Sequence, residues 1–396
     1  MEFELYQNRK YSMKESVFDV AIVGAGPAGL GCALALREIG VENLTILESE
    51  SIGNSFRRWP EEMRLITPSF HSNPFFATDL NAISPRTSPG DLFGLEHLSG
   101  KQFAAYLEAV VDHYALPVQL DSPVNRMRDD GDCFLLEADG RTIRARFVIW
   151  ATGEFSFPDL EPFPGADLCR IASQVGSWQG VRGDEFVVIG GYESGIDAAY
   201  HLASRGSKVE VLSRGEPWQI DDPDPSVALS PFTKERLARI ARALPESIKL
   251  HGNRDVIEVI CEGADYRVLT LDGGSFVSSQ PPILATGFDS GIKRQIASFF
   301  EWRGERPVFS EVDSSTLYPN FFYSGPSLVH RDSKFCFIYK FRARFGVIAQ
   351  EIGRRLGMDT SNLSDWEKRG FLIEDLDCCV DCKCEVESPS AEEAVS

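Results

Sequence analysis

Three glycines follow a β-rich apolar run in Phe18-Asp-Val-Ala-Ile-Val-Gly24-Ala-Gly26-Pro27-Ala28-Gly29-Leu and lead into a helical stretch, Leu30 to Ile39. A second apolar run, Leu44 to Leu47, ends in Glu48, 19 positions after Gly29. Each glycine has a physical job: Gly24 permits a sharp strand-to-helix turn, Gly26 lets backbone approach a pyrophosphate, and Gly29 lets the helix pack close to the strand. Glu48 then accepts from ribose hydroxyls. Strand, turn, helix and acid at this spacing predict a dinucleotide site held by Gly24, Gly26, Pro27, Ala28, Gly29 and Glu48.

The pattern recurs at Glu185-Phe-Val-Val-Ile-Gly190-Gly191-Tyr192-Glu193-Ser194-Gly195, followed by a helical run, Ile196 to Ser204, and a strand, Lys208 to Leu212. The residue 19 positions after Gly195 is Arg214. An arginine there suits a 2′-phosphate, so this unit leans towards NADP over NAD. Its candidate residues are Gly190, Gly191, Ser194, Gly195 and Arg214. Tyr192 stands where a middle glycine would touch pyrophosphate, and Glu193 sets a carboxylate beside it.

The elements that position these residues repeat as well. Val148-Ile-Trp150-Ala151-Thr152-Gly153 and Ile283-Leu-Ala285-Thr286-Gly287 each end an apolar run, at what read as equivalent crossing points of two similar domains. The spacing therefore predicts an α/β chain of two Rossmann-like dinucleotide-binding domains, the second inserted into the first. The expected divisions are 1–165 for the first domain, 166–284 for the inserted one, 285–373 for the return to the first, and 374–396 for a tail. Pro158, Pro162 and Pro164 mark the outgoing linker, because proline clusters favour extended connections. The tail from Glu374 carries eight acids and one lysine, which predicts a solvated, mobile end.

Composition narrows the partners. At 396 residues the chain suits two or three domains, and 43% hydrophobic with 25% charged residues is the balance of a soluble globular protein. The net charge of −19 repels phosphate backbones and anionic membranes, so neither nucleic acid nor membrane is an expected partner. Met1 to Phe18 holds no apolar run fit for a signal peptide, and no stretch of about 18 apolar residues occurs, so a cytoplasmic location is expected.

Two nested dinucleotide folds joined by Ala-Thr-Gly segments resemble the pyridine-nucleotide-dependent flavoproteins that include thioredoxin reductases and flavin-containing monooxygenases. Trp59-Pro-Glu-Glu-Met-Arg-Leu-Ile-Thr-Pro-Ser-Phe-His71-Ser-Asn-Pro74, Trp150-Ala-Thr-Gly-Glu-Phe-Ser-Phe-Pro158 and Ser213-Arg-Gly-Glu-Pro-Trp218 look most like the monooxygenase-like members. The resemblance implies FAD on the first fold, NADPH on the second, and hydride transfer to the flavin, with Ala151, Thr152, Gly153, Thr286, Gly287 and Gly325 at the cofactors. It is compatible with a homodimer.

Departures accompany the likeness. The FxGxxxHxxx(Y/W) fingerprint of the monooxygenases falls on Phe163-Pro-Gly165-Ala-Asp-Leu-Cys169-Arg-Ile-Ala-Ser173, where Cys169 replaces the histidine and Ser173 the aromatic. No Cys-x-x-Cys lies between residues 166 and 284, where thioredoxin reductases carry theirs. Bacillithiol disulfide reductase-like members have a cysteine where this chain has Ala28. Phe337-Ile-Tyr-Lys-Phe-Arg-Ala-Arg-Phe-Gly346 is similar to the helix-opening segment near their flavin, although Tyr323-Ser-Gly-Pro326 lacks the Asp that often precedes it.

Nine cysteines fall into two groups. Cys32, Cys133, Cys169, Cys261 and Cys336 lack pair-like spacing and read as buried thiols of a reducing compartment. Cys378, Cys379, Cys382 and Cys384 crowd into seven residues, and three readings fit them: a redox relay by thiolate exchange, a thiolate metal site, or a free tail. His71 and His330 fall in segments that the resemblance places near the flavin, where a histidine could move protons or simply hydrogen-bond in a loop. Arg342 and Arg344 read either as holding an anionic substrate or the flavin phosphate, or as surface charges. The leading expectation is an FAD-dependent NAD(P)H oxidoreductase of monooxygenase type acting on a small molecule. The alternatives are a disulfide reductase using the tail cysteines and a dithiol oxidase with a disabled nucleotide site.

Overall fold

The computed structural model describes residues 17–70, 77–222, 224–331 and 333–376. His71 and the cysteines Cys378, Cys379, Cys382 and Cys384 lie outside the described residues, as does almost all of the acidic tail.

The first glycine unit folds as β1 (Val17–Val23), α1 (Pro27–Glu38) and β2 (Leu44–Leu47), with Pro27 at the first turn, where its missing N–H costs nothing. Beyond it come α2 (Gly100–Tyr114), β3 (Val118–Gln119), β4 (Val124–Asp129), β5 (Phe134–Ala138) and β6 (Arg141–Trp150). α2 starts on a capping box, Ser99 with Gln102. The sheet order is β3-β2-β1-β6-β5-β4. β6 serves two neighbours along one edge: Arg141 to Ala145 pair antiparallel with β5, and Val148 to Trp150 pair parallel with Phe321–Tyr323. The parallel centre is covered on both faces, so β2 and Phe147 to Trp150 are apolar or nearly so and buried throughout.

Residues Ala28 to Leu36 of α1 are all buried, because the helix lies between the sheet and a late helix, α5 below. A Cβ on Gly31 would come 2.0 Å from the Phe345 ring, so only glycine lets the two helices approach.

The second unit comprises β7 (Arg170–Ile171), β8 (Glu185–Ile189), α3 (Glu193–Ala203), β9 (Lys208–Leu212), α4 (Pro231–Ala243) and β10 (Ile248–His251). A meander follows, β11 (Val256–Glu262), β12 (Asp265–Thr270) and β13 (Ser275–Ser278), and then β14 (Ile283–Leu284). Its parallel sheet runs β10-β9-β8-β14-β7. The chain then returns to the first sheet and ends with α5 (Phe345–Leu356) and a short helix, Ser364–Lys368.

The two units share one design. Ala151 N donates to Val23 O and Ala285 N to Ile189 O, both at 2.8 Å; Gly24 N donates to Leu47 O and Gly190 N to Leu212 O, again both at 2.8 Å. The outgoing and returning strands run side by side, with Asp159 N on Gly287 O at 3.1 Å and Asp289 N on Phe157 O at 2.7 Å. The second unit is thus an insertion in the first. The two antiparallel additions, β4 with β5 and β11 to β13, have no counterpart in the glycine-motif reading.

Candidate active site

The first phosphate cradle follows from three glycines, two of which admit no side chain. Gly24 has φ +108°, and a Cβ there would lie 2.5 Å from Ala151 O; a Cβ on Gly29 would lie 2.0 Å from Gly24 O. Gly26 meets nothing within 4 Å, so its face of the turn is open. No side chain caps α1, which leaves its first amide groups free for an anion. At the tip of β2 the Glu48 carboxylate is 7% exposed and held by Ala25 N at 2.8 Å, Ser49 Oγ at 3.1 Å and Glu50 N at 3.0 Å.

A cavity of about 590 Å³ runs from this cradle to the second unit. Gly24, Gly26, Pro27, Ala28, Glu48, Ala151, Thr152 and Gly153 line one part of it, and Glu193, Ser194, Asp197, Thr233 and Arg236 another. These residues fit FAD: an open glycine, an uncapped helix start, a fixed carboxylate and a long, partly apolar space. Gly29 stands behind the cradle as packing, and Gly325, at φ +144°, packs on Tyr323 next to the cavity-lining Pro326. Thr286 and Gly287 face a second, much smaller hollow, to which Ser194 also belongs.

The second cradle repeats the first. A Cβ on Gly190, at φ +111°, would lie 2.2 Å from Ala285 O, and one on Gly195 would lie 1.8 Å from Gly190 O. Gly191 is pressed by Ser213 and Trp218, whose atoms would lie 2.5 and 2.7 Å from its Cβ. Tyr192 occupies the N-cap position, yet its hydroxyl is engaged elsewhere, donating to Pro225 O and, at 2.9 Å, to Ala228 O. Glu193 accepts from Ser230 N at 2.5 Å and from Thr233 Oγ1 at 2.5 Å, capping the start of α4. Burial pushes the Glu193 carboxyl up, and these donors only partly reverse that. Both departures from the glycine motif therefore anchor the segment 225–233, and the start of α3 has no side-chain cap. Arg214 is exposed just past the end of β9. The set fits a pyridine dinucleotide with a 2′-phosphate.

Several cavity residues carried no sequence signal. Burial pushes the Asp197 carboxyl up, but His201 and Arg236 outweigh it and hold it below the usual carboxylate range; Arg236 Nη1 is 2.7 Å from Asp197 Oδ1. Glu154, just after Gly153, lines the cavity without a cationic neighbour, and desolvation raises its carboxyl to about 7. Cys336 lines it too, with Sγ 3.0 Å from Ser226 Oγ.

Other expectations resolve differently. Cys32 and Cys133 are buried, but Cys261 is exposed on β11, and Cys169 and Cys336 are partly exposed. The His330 imidazole is 2.5 Å from Asp313 Oδ1 and Arg344 holds the same carboxylate at 2.9 Å, so both serve a buried cluster rather than the cavity. Arg342 is buried against the carbonyl oxygens of Asp79 and Ala82. Neither arginine is a surface charge, and neither lines the cavity. Among the described residues no cluster of His, Cys, Asp or Glu is placed to hold a metal, and no helix is long and apolar enough to cross a membrane.

Residues 21–325 match the pyridine nucleotide-disulphide oxidoreductase family. The chain belongs to that family. As a member it is a flavoprotein oxidoreductase, and FAD with NADP(H) is the cofactor pair of its relatives. It is 24% identical over 339 residues to bacilliredoxin reductase Bdr of Bacillus subtilis (strain 168), covering 84% of this chain and 97% of that one. The structure is similar to that of bacillithiol disulfide reductase Bdr from Staphylococcus aureus, with a TM-score of 0.67 at 20% identity over 86% of this chain and 99% of the other. It is also similar to ornithine N-hydroxylase from Kutzneria sp. 744, with a TM-score of 0.67 at 16% identity over 86% and 100%. Both likenesses show this two-unit fold in proteins whose names give different chemistries.

Proposed function

We propose that this family member takes a hydride from NADPH on the second unit and passes two electrons, through FAD on the first, to a small disulfide. One observation carries the reading: a single open cavity is lined both by the first cradle and by residues of α3 and α4, so the reacting ends of the two cofactors and a small substrate can meet there. FAD supplies the two-electron chemistry.

The chain's own residues bind, orient and exclude water. Glu48 orients the adenosine ribose, the open face at Gly26 receives the pyrophosphate, and Arg214 selects the 2′-phosphate. Glu154 exchanges a proton with the cavity near neutral pH.

The disulfide reading is favoured over oxygenation by the run equivalent to the oxygenase fingerprint. Gly165 packs on β11, where a Cβ would lie 2.0 Å from Val259 O, and Cys169 packs beside the Val187, Leu212 and Val268 core. Neither lines the large cavity, whereas the thiol of Cys336 does.

The test is the stoichiometry of turnover under nitrogen. Two thiols released per NADPH oxidised support the reading. NADPH oxidation that requires oxygen and yields an oxygenated small molecule or peroxide contradicts it.

A further inference from the structure

The two units are joined by a ribbon of two crossing strands, tied by Asp159 N on Gly287 O and Asp289 N on Phe157 O. Such a ribbon fixes where the units meet and leaves their relative rotation to side chains, since packed units move against each other unless something holds them.

Three ties across the two units meet that need. Glu62 of the first unit accepts from three groups of the second: Ser177 Oγ at 2.6 Å, Trp178 N at 3.0 Å and Gln179 N at 3.3 Å. One residue earlier, Glu61 N donates to Gly176 O at 3.0 Å. The His97 ring stacks on Phe232 of α4 with centroids 4.0 Å apart, and His97 Nδ1 lies 2.8 Å from Leu65 O. On the short helix Ile338–Phe341, Lys340 Nζ lies 2.6 Å from Asp224 Oδ1 and 2.7 Å from Ser226 Oγ. Each tie is attached to the cavity wall. Met63, Arg64 and Leu65 follow Glu62, Leu65 carries His97, and Ile338 and Phe341 flank Lys340.

The Glu62 tie reaches the core of the second unit. Burial raises its carboxyl, but the Ser177 hydroxyl and the backbone amides outweigh it and hold it below the ordinary 4.5, so it is ionised at neutral pH. Its partners open the turn Trp178–Gly180, and Trp178, 1% exposed, packs with Val181, Phe186 and Val188. A carboxylate from one unit thus makes charge-assisted bonds to a turn rooted in the other.

We propose that Glu62 is a positioning residue, a latch that holds the second unit at one orientation over the first through every step of turnover. The inference rests on the electron route read above and adds that the units do not swivel between taking the hydride and giving up the electrons. A hydride, one proton with two electrons, passes from NADPH to the flavin and leaves NADP⁺. It crosses only between groups in near contact, and a displacement of about 1 Å costs on the order of a hundredfold in rate. Glu62 does not line the cavity. It acts through Met63 to Leu65 on one side and through residues 177–179 on the other.

The experiment mixes full-length, flavin-loaded protein rapidly with NADPH under nitrogen and follows flavin absorbance. Glu62→Gln keeps an acceptor oxygen and drops the charge, and Glu62→Ala removes both. The limiting rate of flavin reduction is expected to fall about tenfold in Glu62→Gln and about a hundredfold in Glu62→Ala, with flavin content and the Kd for NADPH within about twofold of wild type. Glu61 pairs with Lys101 inside the first unit at 2.9 Å, so Glu61→Gln should leave the rate unchanged. Hydrogen exchange on flavin-free protein gives a reading independent of turnover. Amides 176–180 should exchange about tenfold faster in Glu62→Ala, with β1 and β8 unaltered. In flavin-loaded wild type the same amides should be equally protected before and after reduction by NADPH.

A wild-type reduction rate in Glu62→Ala, loss of flavin from both variants in place of slower reduction, or exposure of 176–180 on reduction overturns the latch and leaves the electron route standing. A wild-type protein whose flavin NADPH leaves oxidised overturns both. Flavin that NADPH reduces but 2,2′-dithiodipyridine fails to reoxidise overturns the disulfide reading and leaves the latch.

Discussion

Lys340 Nζ lies 2.6 Å from Asp224 Oδ1 and 2.7 Å from Oδ2, tying the segment after β9 to the short helix Ile338–Phe341 beside the cavity. Burial raises the Asp224 carboxyl, but Lys340 and the Ser226 amide and hydroxyl outweigh it and hold it below its ordinary value of 3.8. A depressed carboxyl contributes stability above its ordinary value and loses it as pH falls through the folded one. The Asp224 side chain is 40% exposed, so solvent screens the pair. Asp224→Asn is expected to cost roughly 0.5 kcal/mol at neutral pH, read by denaturant unfolding, and nothing once the wild-type carboxylate is protonated.

Glu48 offers a separate test at the first cradle. Its carboxylate is fixed by three donors, two of them backbone amides. Glu48→Gln should weaken FAD binding by about 10- to 100-fold, since one charge-assisted bond to ribose contributes on the order of 1.5–3 kcal/mol. Fluorescence titration of flavin-free protein measures this. Unchanged affinity would remove Glu48 from the site.

Arg214 should act on nucleotide choice alone. Because it is exposed and lies outside the cavity, Arg214→Ala is expected to raise the KM for NADPH by about tenfold or more, leaving kcat and the KM for NADH near wild type. A preserved preference for NADPH would contradict its assignment to the 2′-phosphate.

Glu154 carries a pH signature of opposite sign to Asp224. Desolvation raises it from 4.5 to about 7, so the folded state holds a proton that the unfolded chain releases between those values. Stability from this group is full below 4.5 and declines as pH rises to 7. Glu154→Gln should therefore stabilise flavin-free protein by up to roughly 3 kcal/mol above pH 7, and by nothing below 4.5. Urea unfolding across that range decides it.

Much of this arrangement was legible in the sequence. Gly24 and Gly190 sit at positive φ beneath a carbonyl of the next crossing strand, and only glycine meets both demands, so the motif reads directly as geometry. Glu48 was legible because a βαβ unit fixes its distance from the turn. Cys336 and Ser226 were not: 110 residues separate them, and only the packing of one unit on the other brings them together. Glu154 looked like any acid after Gly153, since its desolvation comes from distant walls. Arg342 and Arg344 misled for a related reason. A basic pair in a helix-opening segment shows no sign in sequence of whether carbonyl oxygens or solvent will meet it, and here buried carbonyls and Asp313 do. Tyr192 and Glu193 read in the sequence as departures from a nucleotide cradle, and in the structure they anchor the segment 225–233.

Glu193 and Ser194, at the start of α3, open on the cavity that the first cradle lines, so NADPH on the second unit is expected to reduce flavin on the first, with a disulfide taking the electrons away. The direct measurement is an anaerobic titration of flavin-loaded protein with NADPH, following flavin absorbance, and then with 2,2′-dithiodipyridine before any air is admitted. Bleaching by one equivalent of NADPH and full return of colour with one equivalent of disulfide are expected. Flavin that NADPH leaves oxidised, or that regains its colour only with oxygen, would contradict it.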